Sequence, residues 1–360
     1  MPTKFKVGFI IGPQGKVWDK TYYDSFSINK QRYWLNDVPK NLIQIVGKKK
    51  KARIDVAVAY ALKNLLKDRK DIKYTILRVE NVNDSEFKKH DLIINQFLDL
   101  LIEPRIPQFE KNGVPHLKLK ELYQKYSKKI YPPVKYSNMV YEKCNYYDFL
   151  KQSKLPVAPT HCISNIEYKI SPRKSINSLV KHAKDQKWGK IFAKPTSSSD
   201  SMDISLMGLD NKEVRSYINR MFSKGHTAIV FQKFFSDFEV VVPQVRIYYL
   251  GGKHQYSMIN WANGYAKIDE TSAIVNKAKK IGKKVLDKID PFFKGAPKLI
   301  TRIDFGCCLN KSKTSAFINE IEFNPGLYLH LHGAGKFNFD YKVAKQLTEI
   351  INYKKNLYTK

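Results

Sequence analysis

The sequence predicts a mixed α/β (α+β) protein, with a parallel α/β layer first and two α+β units after it. Three observations predict this. Strand-like and helix-like runs alternate over about the first 110 residues, the order of a parallel layer. Helices and strands keep interleaving through the middle of the chain. Near the C-terminus, two period-two segments flank a turn-rich gap, which is the pattern of an antiparallel hairpin.

Taken in order, Lys6–Ile11 reads as a buried strand, an apolar run too short for a signal peptide. Ile54, Val58, Ala61, Leu62 and Leu65 recur at helical spacing, so a helix is expected from Ile54 to Lys67. Ile72–Val79 and Leu92–Phe97 are the next strands. Arg105 to Lys135 is rich in Pro, Lys and Tyr and reads as a connection with one helix, Leu117–Tyr126. Helices are expected at Val140–Ser153 and Ile176–Gln186, then a strand at Lys190–Lys194 closed by Pro195. Asp210 and Glu213 form a capping box for a helix ending at Phe222, with Gly225 as its stop. Ala228–Phe231, Phe238–Val242 and Arg246–Leu250 read as strands. Ile274, Ala278, Ile281 and Val285 mark a lysine-backed helix, and Tyr341–Tyr353 closes the chain with Val343, Leu347 and Ile350 inward.

Composition bounds the function. The 360 residues are 43% apolar, enough to bury a full core rather than remain disordered. No apolar run approaches the ~18 residues of a membrane span. Cys144, Cys162, Cys307 and Cys308 form no CxxC pair, and no His stands at zinc spacing from them. Reduced, buried thiols in a cytoplasmic protein are expected. The net charge is +31, carried by 54 Lys and 10 Arg. That excess reflects either an AT-rich codon bias or an anionic partner: a polyphosphorylated small molecule, an acidic polypeptide or nucleic acid. The densest run, Lys48 to Arg53, reads as a solvated loop before a helix.

The hairpin carries the chemistry. Its first strand reads Arg302-Ile303-Asp304-Phe305-Gly306, and its second runs from Phe317 to Gly326. Alternation puts Arg302 and Asp304 on one face, and Glu320, Glu322 and Asn324 on one face of the partner strand. If the faces coincide, like charges converge and require a cation. Oxygen-only ligands suit Mg²⁺, which completes its shell with water and phosphate oxygens. A nucleotide triphosphate is then expected; the alternative is a surface hairpin with solvated charges.

Other features stand upstream. Lys143 opens Lys143-Cys144-Asn145-Tyr146-Tyr147, and Lys194 ends the strand Phe192-Ala193-Lys194-Pro195. A serine-rich loop, Thr196–Ser201, follows, and then Gln232-Lys233-Phe234-Phe235 with Glu239 beyond it. In this order and spacing, residues 136–350 resemble the ATP-grasp superfamily. Within it they look most like D-alanine–D-alanine ligase and its carboxylate–amine ligase relatives, of the glutathione synthetase ATP-binding-domain type. The resemblance implies two subdomains clasping ATP, at 126–231 and 232–360, after an N-terminal α/β domain at 1–125. It implies ATP and one or two Mg²⁺ ions as cofactors. Lys143 and Lys194 would neutralise phosphates, with Ser198 in the phosphate-covering loop, which here has no glycine. Gln232, Lys233, Phe234 and Phe235 would be the adenine hinge, and Glu239 would accept the ribose hydroxyls. Asp304, Glu322 and Asn324 would hold the metal, with Glu320 as a third ligand or a neighbouring charge. Arg302 would stabilise the reacting acyl centre. Arg246 is a candidate γ-phosphate ligand, provided Pro243 marks a bulge that returns it to the face of Glu239. His330 and His332 lie where the family recognises its acceptor.

The resemblance implies an ATP-dependent carboxylate–amine ligase acting on a small molecule or an acidic peptide. Alternatives are an ATP-grasp kinase of a polyanion such as an inositol phosphate, or a ligase modifying acidic protein tails. A nucleic-acid binder has the charge but none of the usual motifs.

Overall fold

The computed structural model describes residues 4–12, 25–46, 48–96, 116–197, 203–310, 313–332 and 338–358. The chain opens with strand β1 (Phe5–Ile11) and a small antiparallel sheet of β2 (Ser25–Ser27), β3 (Ile43–Val46) and β4 (Lys49–Arg53). The lysine run is therefore a strand rather than the expected loop. Its end is drawn inward, because Arg53 makes a buried two-pronged contact with Asp55, which also accepts from the Gly12 amide. Helix α1 (Ile54–Leu66) then leads to β5 (Ile72–Arg78). After α2 (Asp84–Lys89) come β6 (Leu92–Ile94), α3 (His116–Lys125) and β7 (Ile130–Tyr131). The expected parallel layer forms with order β5-β1-β6-β7, so the first sheet reaches past residue 125.

The middle of the chain is a second layer. Helices α4 (Val134–Tyr141) and α5 (Lys143–Gln152) precede β8 (Thr160–Ser164), α6 (Asn165–Ile170) and α7 (Pro172–Asp185). Then come β9 (Ile191–Pro195), β10 (Ser205–Met207), α8 (Asn211–Ser223) and β11 (Ala228–Lys233). The strands form an antiparallel sheet, β10-β9-β11-β8, packed on Ile176, Leu179, Val214 and Ile218 of the helices. Asp210 caps α8 through the amides of Lys212 and Glu213, while the Glu213 carboxylate reaches Gly208.

Two expectations are corrected here. The single helix Val140–Ser153 is two helices broken at Glu142, whose carboxylate accepts from the Thr196 and Ser197 hydroxyls. A tertiary contact overrides the local helical pattern. The four reduced thiols are also not found, because Cys144 and Cys162 are disulfide-bonded with Cα atoms 6.0 Å apart. Strand β8 brings Cys162 beside the first turn of α5, a proximity with no signature in cysteine spacing. Cys307 and Cys308 are free and buried.

The third layer is the antiparallel sheet β14-β13-β12-β15-β16. Its strands are β12 (Gln244–Leu250), β13 (Lys253–Asn260), β14 (Ala266–Ile268), β15 (Ile300–Asn310) and β16 (Lys313–Glu322). Helix α9 (Ala273–Phe293) covers it through Val275, Ala278 and Val285, and α10 (Phe339–Tyr358) closes the chain against α1. Residues 238–242, expected as a strand, form a tight loop with Glu239 at φ 62°. The expected hairpin is present. Arg302 faces Glu322 and Asp304 faces Glu320, but Phe305 faces Ile318, so Asn319 is an extra residue in a bulge.

Gly306 sits under the Phe317 ring, where a Cβ would lie 2.2 Å from the nearest ring carbon. Phe317 in turn packs on Phe235, with centroids 5.1 Å apart. Gly306→Ala is expected to cost about 1–3 kcal/mol through overpacking, read as a lower urea midpoint at unchanged m. An unchanged midpoint would show that Phe317 moves aside freely.

Candidate active site

A cavity of about 770 Å³ lies between the second and third sheets. Strands β9 and β11 wall one side, and β12, β15 and β16 wall the other. Its lining includes Lys143, Lys194, Gln232, Lys233, Phe234, Phe235, Glu239, Arg246, Arg302, Asp304, Glu322 and Asn324. These residues are scattered over 182 positions of sequence, from 143 to 324, and the fold brings them to one place.

The hairpin supplies the charged floor. The two-residue spacing puts Arg302 and Asp304 on one face, and the register delivers Glu320 and Glu322 opposite them. Arg302 grips Asp304 with Nε at 2.7 Å and Nη2 at 2.9 Å, and Nη2 also reaches Glu322 at 2.6 Å. Its Nη1 donates to the Gly326 carbonyl at 3.3 Å. Burial opposes the charge on Arg302, but Asp304 and Glu322 outweigh it and hold the guanidinium well above its usual range. Asp304, Glu320 and Glu322 each offer an oxygen, all within 4.8 Å of one another. Such a donor set suits a hard, oxygen-seeking divalent cation such as Mg²⁺. Asn324 follows on the same wall and adds an amide oxygen.

Arg246 reaches the same carboxylate, with Nε 3.4 Å from Asp304. The loop 238–242 returns the chain so that Glu239 and Arg246 both line the cavity. Nε of Arg246 donates to Gln244 at 2.7 Å, and the guanidinium lies over the Tyr328 ring at 4.9 Å. Burial pushes the Glu239 carboxyl up; Arg246 opposes that shift and Asp304 adds to it.

Across the cavity stand Lys143 and Lys194, both 6% exposed. Lys143 Nζ is 3.4 Å from Glu320. Burial works against the Lys194 ammonium, but Tyr147 and Glu320 overcome it and raise its pKa. Glu320 responds in kind: burial raises it, and Lys143, Lys194 and Arg302 together pull it below the usual range. Five cations and four carboxylates line the cavity. A divalent cation added to these leaves the positive excess that a triphosphate requires.

The expected hinge, Gln232 to Phe235, lines the cavity, but two of its amides are already engaged. Lys233 donates to the Pro159 carbonyl and Phe234 to that of Lys190. A base would have to be met by other hinge groups. His332 is not brought to the cavity; its ring stands edge-on to Tyr256 at 4.3 Å. Ser198 and the side chain of His330 lie outside the described residues.

The sequence reading missed Tyr147, Gln244 and Tyr328. Two of these had a signal. Gln244 is two residues from Arg246 on a strand, and Tyr147 is four from Lys143 on a helix, so each shares a face with a residue already singled out. Tyr328 had none.

No protein-family model and no curated protein matches the chain. Solved structures do. D-cycloserine synthetase DcsG superposes with a TM-score of 0.60 at 11% identity, covering 96% of this chain and 99% of that one. The D-alanine–D-alanine ligase from Coxiella burnetii gives 0.58 at 12%, covering 99% and 96%. The ATP-grasp ligase PsnB, complexed with a minimal precursor, gives 0.51 at 9%, covering 98% and 99%. Identities this low speak for architecture and not for activity. Three layers ending in a carboxylate-bearing hairpin, superposable nearly end to end on these ligases, make this an ATP-grasp fold.

Proposed function

We propose that the chain is an ATP- and Mg²⁺-dependent ligase joining a carboxylate to an amine. The observation that carries this reading is the Arg302 fork spanning Asp304 and Glu322, with two buried lysines facing it. Phosphoryl transfer to a hydroxyl forms no acyl oxyanion. A buried arginine beside the metal carboxylates also suits the negative charge that develops at an acyl centre.

Lys143 and Lys194 bind the triphosphate as point charges. Gln232, Lys233, Phe234 and Phe235 enclose the base, and Glu239 accepts from the ribose. Asp304, Glu322 and Asn324 hold the cation; when bound, Mg²⁺ neutralises the phosphate oxygens. A substrate carboxylate oxygen attacks the γ-phosphorus, ADP leaves, and an acylphosphate forms. The amine then attacks the acyl carbon, inorganic phosphate leaves, and the amine's proton passes to solvent. Arg302 steadies the oxyanion of that second step, and Arg246 steadies the transferring phosphoryl group. A site closed over its substrates would keep water from the acylphosphate.

The acceptor is an anionic small molecule or an acidic peptide. The +31 charge favours an anion, and PsnB was solved with a precursor bound. ATP as co-substrate argues for a cytoplasmic setting, where the Cys144–Cys162 bond would be open to reduction. No helix among the described residues is long and apolar enough to cross a membrane.

The test is product analysis. ADP and free phosphate are expected only when a carboxylate and an amine are both supplied. Transfer of the γ-phosphate onto a stable acceptor, with no amine needed, would make the chain a kinase.

A further inference from the structure

The roles assigned so far leave the buried phenol of Tyr147 unused. The residue is 2% exposed and sits one helical turn beyond Lys143, on the same face of α5. Lys194 Nζ donates to its oxygen at 3.0 Å. The phenol oxygen stands 2.5 Å from the Asn319 carbonyl and 3.4 Å from Gln232 Oε1. An ammonium only donates, so the phenol must accept from Lys194 and send its own proton onward. The Asn319 carbonyl, at the shorter distance, is the receiver. That carbonyl belongs to the extra residue of the hairpin bulge, and Tyr146 donates to it as well, at 3.1 Å.

The chain of contacts therefore runs from a lysine on β9, through a helix side chain, to the backbone of the strand carrying Glu320 and Glu322. We infer that Tyr147 is a positioning residue: its hydroxyl fixes the Lys194 ammonium relative to the metal-binding hairpin, holding phosphate contact and carboxylates in one frame. This inference rests on the nucleotide site proposed above.

Tyr147→Phe separates this role from packing. It keeps the ring that lies 5.3 Å from Lys194 Nζ, and with it the cation–π contact. It removes the acceptor for Lys194 and the donor to Asn319. Released from the phenol, the ammonium is drawn towards Glu320, whose attraction it already feels. The loss therefore falls on phosphate binding and spares the base.

The experiment is a binding cycle on the full-length protein, with ATP·Mg²⁺ and adenosine titrated separately. Tyr147→Phe is expected to weaken ATP about tenfold, in keeping with loss of a charged hydrogen bond, and adenosine less than twofold. In a Lys194→Gln background, Tyr147→Phe should have no further effect on ATP, because the two act through one contact. Equal losses for ATP and adenosine, or additive losses in the double variant, would assign Tyr147 to packing and overturn the inference. Wild-type protein that binds no ATP would instead remove the nucleotide site and this inference with it. Should Tyr147→Phe fail to fold, Tyr147→4-fluorophenylalanine replaces it. Its fluorine fills the space of the hydroxyl but cannot donate and hardly accepts a hydrogen bond. Weaker ATP binding at constant adenosine affinity is expected, and unchanged ATP affinity would overturn the proposal.

Discussion

Asp304→Asn and Glu322→Gln are each expected to lower ATP turnover by more than about a thousandfold, the scale of losing a catalytic electrostatic contact. Asparagine and glutamine keep the shape and one acceptor oxygen, so Arg302 retains a partner in each case. What is lost is the charge that makes a divalent cation favourable at three carboxylates within 4.8 Å. The two variants should differ in stability. Asp304 is 2% exposed and faces both Arg302 and Arg246, so its neutralisation leaves a buried and a half-buried cation short of charge. Glu322 is half-buried, and its carboxylate meets Arg302 at 2.6 Å. ADP release measures the first effect, and thermal melting beside wild type measures the second. Near-wild-type turnover in both folded variants would reject the metal assignment.

Arg302→Met should be the most destabilising single change at the site, by about 3–5 kcal/mol, because breaking a buried ion pair from one side leaves the other uncompensated. Two carboxylates lose their fork, and the Gly326 carbonyl loses a donor. Arg246, 3.4 Å from Asp304, offsets part of that loss. Urea denaturation gives the number directly. Turnover of the folded fraction should fall at least about a hundredfold, the effect of removing an oxyanion donor. Arg302→Lys should recover stability better than turnover, since an ammonium carries the charge without the planar fork. If Arg302→Lys matched wild type in turnover, the bidentate geometry would have no part in the chemistry.

Local pattern carried much of this. The hairpin was legible because polar and apolar residues alternate strictly over 302–305 and 320–324, on either side of a turn-rich gap. Lys194 was legible because a lysine before proline at a strand end has few structural uses. The break at Glu142 was not, because its cause is a contact with Thr196 and Ser197, more than fifty residues away. Nor was the disulfide, since Cys144 and Cys162 meet through the path of β8 and not through their spacing. Tyr147 was overlooked because an aromatic at an inward helical position reads as core, and its ring does pack as core. Its hydroxyl is distinguished only by what β9 and β16 bring to it. His332 was singled out for its place after Gly326, but the turn at Leu329–His332 sets its ring against Tyr256.

The extra residue at Asn319 has a consequence for how this chain tolerates changes in length. Side chains on a strand alternate, so losing or gaining one residue between Glu320 and Glu322 would put the two acids on opposite faces, one of them towards the core that now holds Ile321 and Phe323; losing Asn319, the unpaired residue, would only restore regular pairing. On the far side of the bulge, pairing runs on from Phe305–Ile318 to Asn310–Lys313 with no charged group facing the cavity before Glu320. Insertions near the tip would lengthen the ribbon and leave the acids where they are. The hairpin thus has a frozen base and an extensible end, and the end is where a tag or a grafted recognition loop would be accommodated.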